Sequence, residues 1–332
     1  MLGRRNVLLA LGAATLSSCV KNPVDSTNSA KSNQVSLGEI EPQQSVLEAS
    51  NASEEEYVAN ALEQFPFELV SVSGVKAEIE YSRILASDGA HTPVILGDGG
   101  SVARLLDGIE FASYDTKDAI LSAALMIDHP TELLKLRERE AAETEAFLED
   151  LRRSENPTEF LPSISVMEPD GSIRELSEDE VLNQFLSEPE EDWPPVGEWP
   201  KRTNPTRGIL HTLTDWQGNF LPEVYIGLLP TKRWEEVPAL LKYGGWNACP
   251  PPEYHVAAFQ SWKERFDAQL IAMTFDTVEL RIGRNPTTRD EAMSLARELY
   301  AYCNDLIDQG VESLSALAAI TMIQSHWSIW WD

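Results

Sequence analysis

The chain has 332 residues, of which 42% are hydrophobic and 8% aromatic, so it is long enough and apolar enough for one large domain or two smaller ones. It carries 26 basic and 54 acidic residues, for a formal net charge of −28. A surface of that sign repels phosphate backbones, so we expect no nucleic-acid partner. After residue 19, no apolar run approaches the roughly 20 residues that cross a bilayer.

The first residues have the three parts of a bacterial signal peptide. An arginine pair at 4–5 precedes an apolar run at 7–16, and small residues precede Cys19. The pair resembles a twin-arginine signal, and the segment 16–19 (Leu-Ser-Ser-Cys) resembles a lipobox, in which the cysteine is acylated. We therefore predict a signal peptide at 1–18 and a lipid anchor on Cys19. The protein would be tethered to the extracytoplasmic side of a bacterial membrane, in the cell envelope.

Residues 19–52 are rich in Ser, Asn, Gln and Lys without hydrophobic periodicity, which predicts a flexible tether. The portion 53–187 is predicted as α/β. Its elements in chain order are a helix from a capping box at Ser53–Glu56 to Gln64, a strand Phe67–Val72, a helix Val75–Ala86, a strand Thr92–Leu96, a helix Ser101–Asp107, and helices from Lys117 to about Ser154. The charged run Arg137–Glu140 is assigned to a solvated helix face.

Residues 188–205 form an acidic connector rich in Pro and Trp, which marks a soft domain boundary before the portion 206–332. The elements predicted there are strands Ile209–Trp216 and Glu223–Leu229, helices Val237–Leu241 and Glu253–Phe266, strands Gln269–Phe275 and Thr277–Gly283, a helix capped by Thr288, a helix Val311–Gln324 and a strand-like run Trp327–Trp331. The strands on either side of Asp276 are nearly contiguous, so they must form an antiparallel hairpin. Hairpins mixed with helices predict an α+β fold, with a mixed or antiparallel sheet and packed helices.

Scarce residue types are concentrated in this C-terminal portion, which makes it the place to look for a site. Six of the nine tryptophans and two of the three cysteines lie from Trp234 onward. Helical phasing turns His255 inward, where burial and the first-turn position both favour a neutral imidazole. On the following helix, the predicted inward stripe is Met293, Ala296, Tyr300 and Cys303.

Cys249, His255 and Cys303 leave four interpretations open. The cysteines could pack as small hydrophobes, or they could form a disulfide in an oxidising envelope. Together with Asp305 the three side chains could bind zinc, although the usual short Cys-x-x-Cys spacing is missing. Alternatively, Cys249 could be a nucleophile with His255 as its base.

The remaining candidate site residues are aromatic or polar. Trp246, Trp330 and Trp331 could line a ligand pocket or belong to the core. Asn247 lies beside Trp246. Asp305, Asp308 and Gln309 lie in a predicted interhelical loop and could cap the next helix.

Several motifs of this portion resemble one bacterial family. They are Trp-Glu-Glu-Val-Pro-Ala at 234–239, Gly-Trp-Asn-Ala-Cys-Pro at 245–250, His-Val-Ala at 255–257, Pro-Thr-Thr-Arg-Asp-Glu-Ala at 286–292, Tyr-Cys-Asn-Asp at 302–305, Asp-Gln-Gly at 308–310 and the closing Trp-Trp-Asp. This set resembles domain-of-unknown-function family 4253, closely over 222–332 and, through Thr-Pro-Val-Ile-Leu-Gly-Asp at 92–98, back to about residue 65. Asn304 stands where the resemblance implies Pro. The resemblance also implies cytoplasmic relatives, which makes a disulfide a weaker explanation of the shared cysteine pair, and it implies no known activity.

The leading functional hypothesis is a non-catalytic module that binds an unknown protein or small-molecule ligand. Its pocket would be built around Trp246, Asn247, His255, Asp305 and Trp331. The alternative is a metal- or thiol-dependent hydrolase that uses Cys249, His255, Cys303 and Asp305. No cofactor is predicted for the first hypothesis, and zinc belongs only to the second.

Overall fold

The computed structural model describes residues 44–87, 89–112, 116–154, 161, 164–167, 173–186, 194–203 and 210–331. The predicted signal peptide, Cys19 and most of the predicted tether lie outside the described residues. Helix α1 spans Gln44–Gln64, so residues 44–52 of the predicted tether are helical. The capping box at Ser53 therefore lies within a helix and does not start one. No Gly or Pro interrupts this segment, and the helix continues through it.

The remaining elements follow the predicted order in most places. Helices are α2 (Gly74–Ser87), α3 (Gly99–Phe111), α4 (Lys117–Ala124), α5 (Thr131–Arg153), α6 (Glu178–Leu186), α7 (Val237–Leu241), α8 (Pro252–Phe266), α9 (Arg289–Tyr302) and α10 (Leu314–Thr321). Strands are β1 (Glu68–Val72), β2 (Thr92–Ile95), β3 (Ser165–Met167), β4 (Ile173–Glu175), β5 (Val224–Leu229), β6 (Ala268–Met273), β7 (Thr277–Ile282) and β8 (His326–Trp330). Short 3-10 turns lie at His211–Leu213 and Trp234–Glu236.

The fold is α+β, built on a mixed six-stranded sheet with the order β1-β5-β2-β6-β7-β8. Only β2 and β6 pair in parallel in that sheet, and β6 and β7 form the predicted antiparallel hairpin. Strands β1 and β2 come from the predicted N-terminal portion, so strands from both predicted portions share one sheet. Strands β3 and β4 pair separately.

Helices cover both faces of the sheet. On one face, α8 and α9 bury large side chains such as Phe259, Trp262 and Tyr302 against Leu280 and Ile329. On the other face, α2 contributes a smaller cluster that also contains Leu210 and Leu213. In the part of the chain that the structure describes, no helix is long and apolar enough to cross a membrane.

The predicted strand at Ile209–Trp216 is wrong over its described part. The chain there forms the 3-10 turn at His211–Leu213, because the buried Glu279 carboxylate on β7 takes up the backbone donors. It accepts hydrogen bonds from the amides of His211 (2.8 Å) and Thr212 (3.2 Å) and from the Thr212 hydroxyl (2.6 Å). Those amides are therefore not available to a neighbouring strand.

The end of the chain also departs from the predicted pattern. Helix α10 starts only at Leu314, capped by the Ser313 hydroxyl, which accepts from the Ala316 amide. The preceding segment Leu306–Val311 is a π-helical turn, so Asp308 and Gln309 lie in that turn and do not cap α10. A π turn of this kind frequently marks a specialised site.

The inward stripe predicted for α9 is rotated relative to the observed one. Met293 and Tyr300 are only half-buried. The buried positions are Ala292, Leu295, Ala296, Glu298, Leu299, Ala301, Tyr302 and Cys303. The helix packs against α5, α10 and the segment Leu306–Val311, so it buries a wider arc than one narrow stripe.

Candidate functional site

The loop between α7 and α8 has an unusual backbone. Within six residues, Lys242 (48°), Gly244 (109°), Gly245 (82°) and Asn247 (47°) have positive φ angles. Positive φ is uncommon for residues other than glycine, and clusters of it concentrate at binding and catalytic sites. Two glycines allow this backbone conformation, and Lys242 and Asn247 adopt it at a cost in conformational energy.

Backbone hydrogen bonds close this loop on itself. The Gly245 amide donates to the carbonyls of Cys249 (3.1 Å) and Pro250 (3.0 Å), and the Cys249 amide donates to the Trp246 carbonyl (2.8 Å). A Cβ atom on Gly244 would lie 2.0 Å from the Pro250 oxygen and 2.7 Å from His255 Nε2. Only glycine therefore fits at 244, and the loop lies directly on the His255 ring.

Beneath the loop, three side chains form a buried polar chain. Cys249 Sγ lies 3.3 Å from His255 Nε2, and the Tyr302 hydroxyl bonds His255 Nδ1. His255 and Tyr302 are fully buried, and Cys249 is nearly so. The inward orientation predicted for His255 is confirmed, and Tyr302 is its principal partner.

All three side chains of this buried polar chain are in their neutral forms. Burial lowers the pKa of His255 to about 3, and burial raises the pKa values of Cys249 and Tyr302 well above their ordinary range. A Pro250 carbonyl, which can only accept, also bonds the imidazole. The Tyr302 hydroxyl can donate to Nδ1, so the ring proton lies on Nε2, toward Cys249 and Pro250.

The other predicted ligands of the zinc and disulfide interpretations are engaged elsewhere. Cys303 donates through Sγ to the Trp330 carbonyl (2.8 Å), and the Asp305 carboxylate accepts from Gln309 Nε2 (3.1 Å). Both Cys249 and Cys303 are free thiols, so the disulfide interpretation is wrong. Within the described part of the chain, no three His, Cys, Asp or Glu side chains are placed to hold a metal ion. The four-residue zinc site is therefore not assembled.

Asp308 belongs to the same small network. Its carboxylate accepts from Asn304 Nδ2 (2.8 Å) and from the Tyr300 hydroxyl (3.2 Å). Together with the Asp305–Gln309 bond, these contacts hold the π-helical turn in place. Asp305, Asp308 and Gln309 do not line the pocket described next.

A pocket of about 620 Å³ lies on the outer side of the loop. Its aromatic residues are Phe111, Tyr243, Trp246, Phe275 and Trp331, and its polar side chains are Arg104, Lys242, Asn247 and Asp276. Of the residues predicted from the sequence to form a pocket, Trp246, Asn247 and Trp331 all line this one. His255 and Cys249 lie under its floor, whereas Trp330 lines a different cavity beside β8.

Three of the rings form one aromatic cluster. The centroids of Tyr243 and Trp246 are 6.1 Å apart, those of Trp246 and Trp331 are 6.1 Å apart, and those of Tyr243 and Trp331 are 6.2 Å apart. All three pairs meet edge to face, which is a favoured geometry for aromatic contacts. The wall of the pocket is therefore rigid and largely apolar.

Arg137 was assigned to a solvated face, and that assignment is wrong. Its guanidinium donates to the carbonyl of Ala301 (2.6 Å) at the end of α9 and to that of Ala248 (2.7 Å) in the loop. It also pairs with Glu140 at 2.6 Å. The residue thus connects α5 to both α9 and the loop. This role was not predicted because Arg137 lies in a run of charged residues, which is typical of a solvated helix face.

Residues 225–332 match the family model described as "Domain of unknown function (DUF4253)". This C-terminal segment belongs to that family. No curated protein and no solved structure matches the chain. The DUF4253 segment supplies the loop, the buried polar chain and most of the pocket, while Arg104 on α3 and Arg137 on α5 come from the part of the chain that precedes it.

Proposed function

We propose that the DUF4253 segment, completed by α3, is a binding module for a small ligand with a planar ring. The observation that supports this most strongly is the pocket of about 620 Å³, walled by the Tyr243–Trp246–Trp331 cluster. Its volume is in the range of small-molecule sites, and rigid aromatic walls with a few polar groups are typical of them. The loop that carries Trp246 is fixed by its own backbone, which reduces the entropy lost on binding.

The Tyr243 ring forms part of the pocket wall, and its hydroxyl lies below the accessible surface. Tyr243 lines the pocket and is buried, and its hydroxyl has no partner among the described residues. Burial raises the pKa of Tyr243 well above its ordinary value, so the group remains a neutral donor. Leaving a buried donor unsatisfied costs about 1–3 kcal/mol.

The hydrolase alternative has less support from the geometry. A nucleophilic cysteine needs a lowered thiol pKa, and burial raises the pKa of Cys249. The lone pair of His255 Nδ1 is bonded to Tyr302, and the ring is fully buried. Neither group is positioned to act on a molecule in the pocket.

We predict that Trp246→Ala weakens ring binding. The probe is the neutral dye N-phenyl-1-naphthylamine, whose fluorescence rises in apolar surroundings. Removing one aromatic wall should raise its dissociation constant by about tenfold, the usual effect of losing a ring-stacking contact. The measurement is a fluorescence titration of both proteins at equal concentration.

Trp216→Ala is the matched control, because it removes a tryptophan whose side chain is 91% exposed and which does not line the pocket. This variant should bind the dye like the parent protein. Equal affinities for the parent and Trp246→Ala would refute the proposed pocket, as would an equal loss in both variants.

We further propose that Cys19 is lipidated and tethers the module in the cell envelope, facing away from the cytoplasm. The support is the leader sequence, with its arginine pair, apolar run and lipobox-like end. Acyl chains on the cysteine would supply the membrane attachment that the acidic body lacks.

Cys19→Ala should move the protein from the membrane pellet to the soluble fraction, because the acylated residue is lost. The measurement is fractionation of bacterial cells that express each form, together with labelling by a radioactive or clickable fatty acid. Cys303→Ala is a control for loss of a thiol, and it should remain in the pellet and keep its label. A Cys19→Ala protein that stays labelled and membrane-bound would defeat the proposal.

A further inference from the structure

Two cationic side chains stand at the ring-binding pocket of a strongly acidic protein. Arg104 and Lys242 both line it, while the whole chain has a formal net charge of −28. Neither forms an ion pair with any residue that the structure describes. Two such cations that line one aromatic-walled pocket can both bind the same anionic group.

Arg104 is held in place by an aromatic ring. Its guanidinium carbon lies 3.8 Å from the centroid of the Phe275 ring, which also lines the pocket. The side chain makes one long bond from Nε to the Gly100 carbonyl (3.4 Å). Stacking uses the face of the guanidinium and leaves its in-plane N–H groups available, which is the orientation that binds planar anions.

Lys242 is positioned by the backbone. It ends α7 with φ 48° and ψ 40°, and it precedes the glycine pair of the loop. Its side chain is half-buried and not extended freely into solvent. The residue therefore lines the pocket from a backbone position that the helix end fixes.

Asp276 is the acidic residue of the lining, and its position is explained by the turn between β6 and β7. Its Oδ1 accepts from the hydroxyls of Thr274 (3.0 Å) and Thr277 (2.9 Å). The carboxylate thus stabilises the hairpin turn. With two cations against this one acid, the pocket has the opposite sign to the molecule as a whole.

We infer that the ligand is a planar ring that carries an anionic substituent, such as a carboxylate, sulfonate or phosphate. This inference rests on the proposed ring-binding function and specifies its ligand class. The aromatic cluster holds the ring, and Arg104 and Lys242 bind the charge through ionic hydrogen bonds. An anion must approach against the field of the whole protein, so these two local cations decide the selectivity.

The test compares two dyes that share a ring system and differ in charge. They are the anionic 8-anilino-1-naphthalenesulfonate and the neutral N-phenyl-1-naphthylamine. The measured quantity is the ratio of their dissociation constants, for the parent protein and for the double variant Arg104→Gln/Lys242→Gln. We expect the preference for the anion to fall by about tenfold in the variant, with neutral-dye affinity changed by less than about twofold.

The double variant Arg297→Gln/Lys232→Gln removes the same two charges from exposed positions outside the pocket and is the matched control. It should keep the parent's ratio. An unchanged ratio in the pocket variant, or an equal fall in the control, would overturn the inference. Failure of the ring-binding function looks different, because the neutral dye would then not bind, or its binding would not respond to Trp246→Ala.

Discussion

Gly244→Ala is expected to destabilise the protein by about 4 kcal/mol, an effect in the range of severe core substitutions. Two penalties add at this position. An alanine at φ 109° is strained, and its Cβ would lie 2.0 Å from the Pro250 oxygen, which is backbone and cannot swing away. The measurement is urea unfolding at neutral pH, followed by tryptophan fluorescence and by circular dichroism.

Gly218→Ala separates the two penalties. Gly218 also has a positive φ, at 82°, but a Cβ there would meet no atom within 4 Å. Its replacement should cost only about 1 kcal/mol, the usual expense of a left-handed alanine. If the two variants lost the same stability, the close packing of the loop against His255 would be wrong.

His255 should make stability depend on pH in a window between about 6.5 and about 3. Burial lowers its pKa to about 3 in the folded protein, whereas the unfolded chain has the ordinary value of about 6.5. Between these values the unfolded state binds a proton that the folded state does not. The neutral histidine's stabilising contribution is therefore complete above pH 6.5 and declines as pH falls, by about 1.4 kcal/mol per pH unit.

The measurement is the free energy of unfolding from pH 7 down to pH 5, a range in which ordinary carboxylates remain largely ionised. His255→Gln should reduce the slope over this range and leave the contribution of the partly buried His326, whose pKa is also lowered by burial. Replacing the exposed His211 by Gln should leave the slope unchanged. Nitrogen NMR shifts of the parent protein give an independent reading. They should show a neutral ring protonated at Nε2 at pH 5, and a charged imidazolium there would contradict the buried arrangement.

Both predictions depend on the packing of the loop against His255. The glycine allows the loop to lie against the imidazole, and the neutral imidazole joins Cys249 to Tyr302 beneath it. The buried polar chain thus supports the loop that forms part of the pocket wall. Precise support of this kind is what a binding site needs to hold aromatic walls in a fixed geometry.

Much of the fold could be predicted from local pattern. The β6–β7 hairpin and the α9 cap at Thr288 are governed by neighbouring residues, and the cap was found with its Glu291 amide bonded as expected. Helix α8 was placed within one residue because its apolar stripe has clear helical spacing. The strand expected at Ile209–Trp216 failed because Glu279, far away in sequence, takes its amides.

By itself, the sequence determined that the C-terminal segment is a unit with an inward histidine, a glycine-containing turn and tryptophans near it, since spacing and residue type suffice for those conclusions. Only the tertiary structure decided what the histidine does. Three residues that pack around the site are far from His255 along the chain. They are its partner Tyr302, 47 positions away, Arg137, 118 positions away, and Arg104, 151 positions away. No local pattern carries such pairings, because they arise when α3, α5 and α9 pack around one loop. The same packing buries the thiols, raises the pKa of Cys249 and leaves an aromatic-walled pocket above them, whereas the sequence alone had also allowed a catalytic centre there.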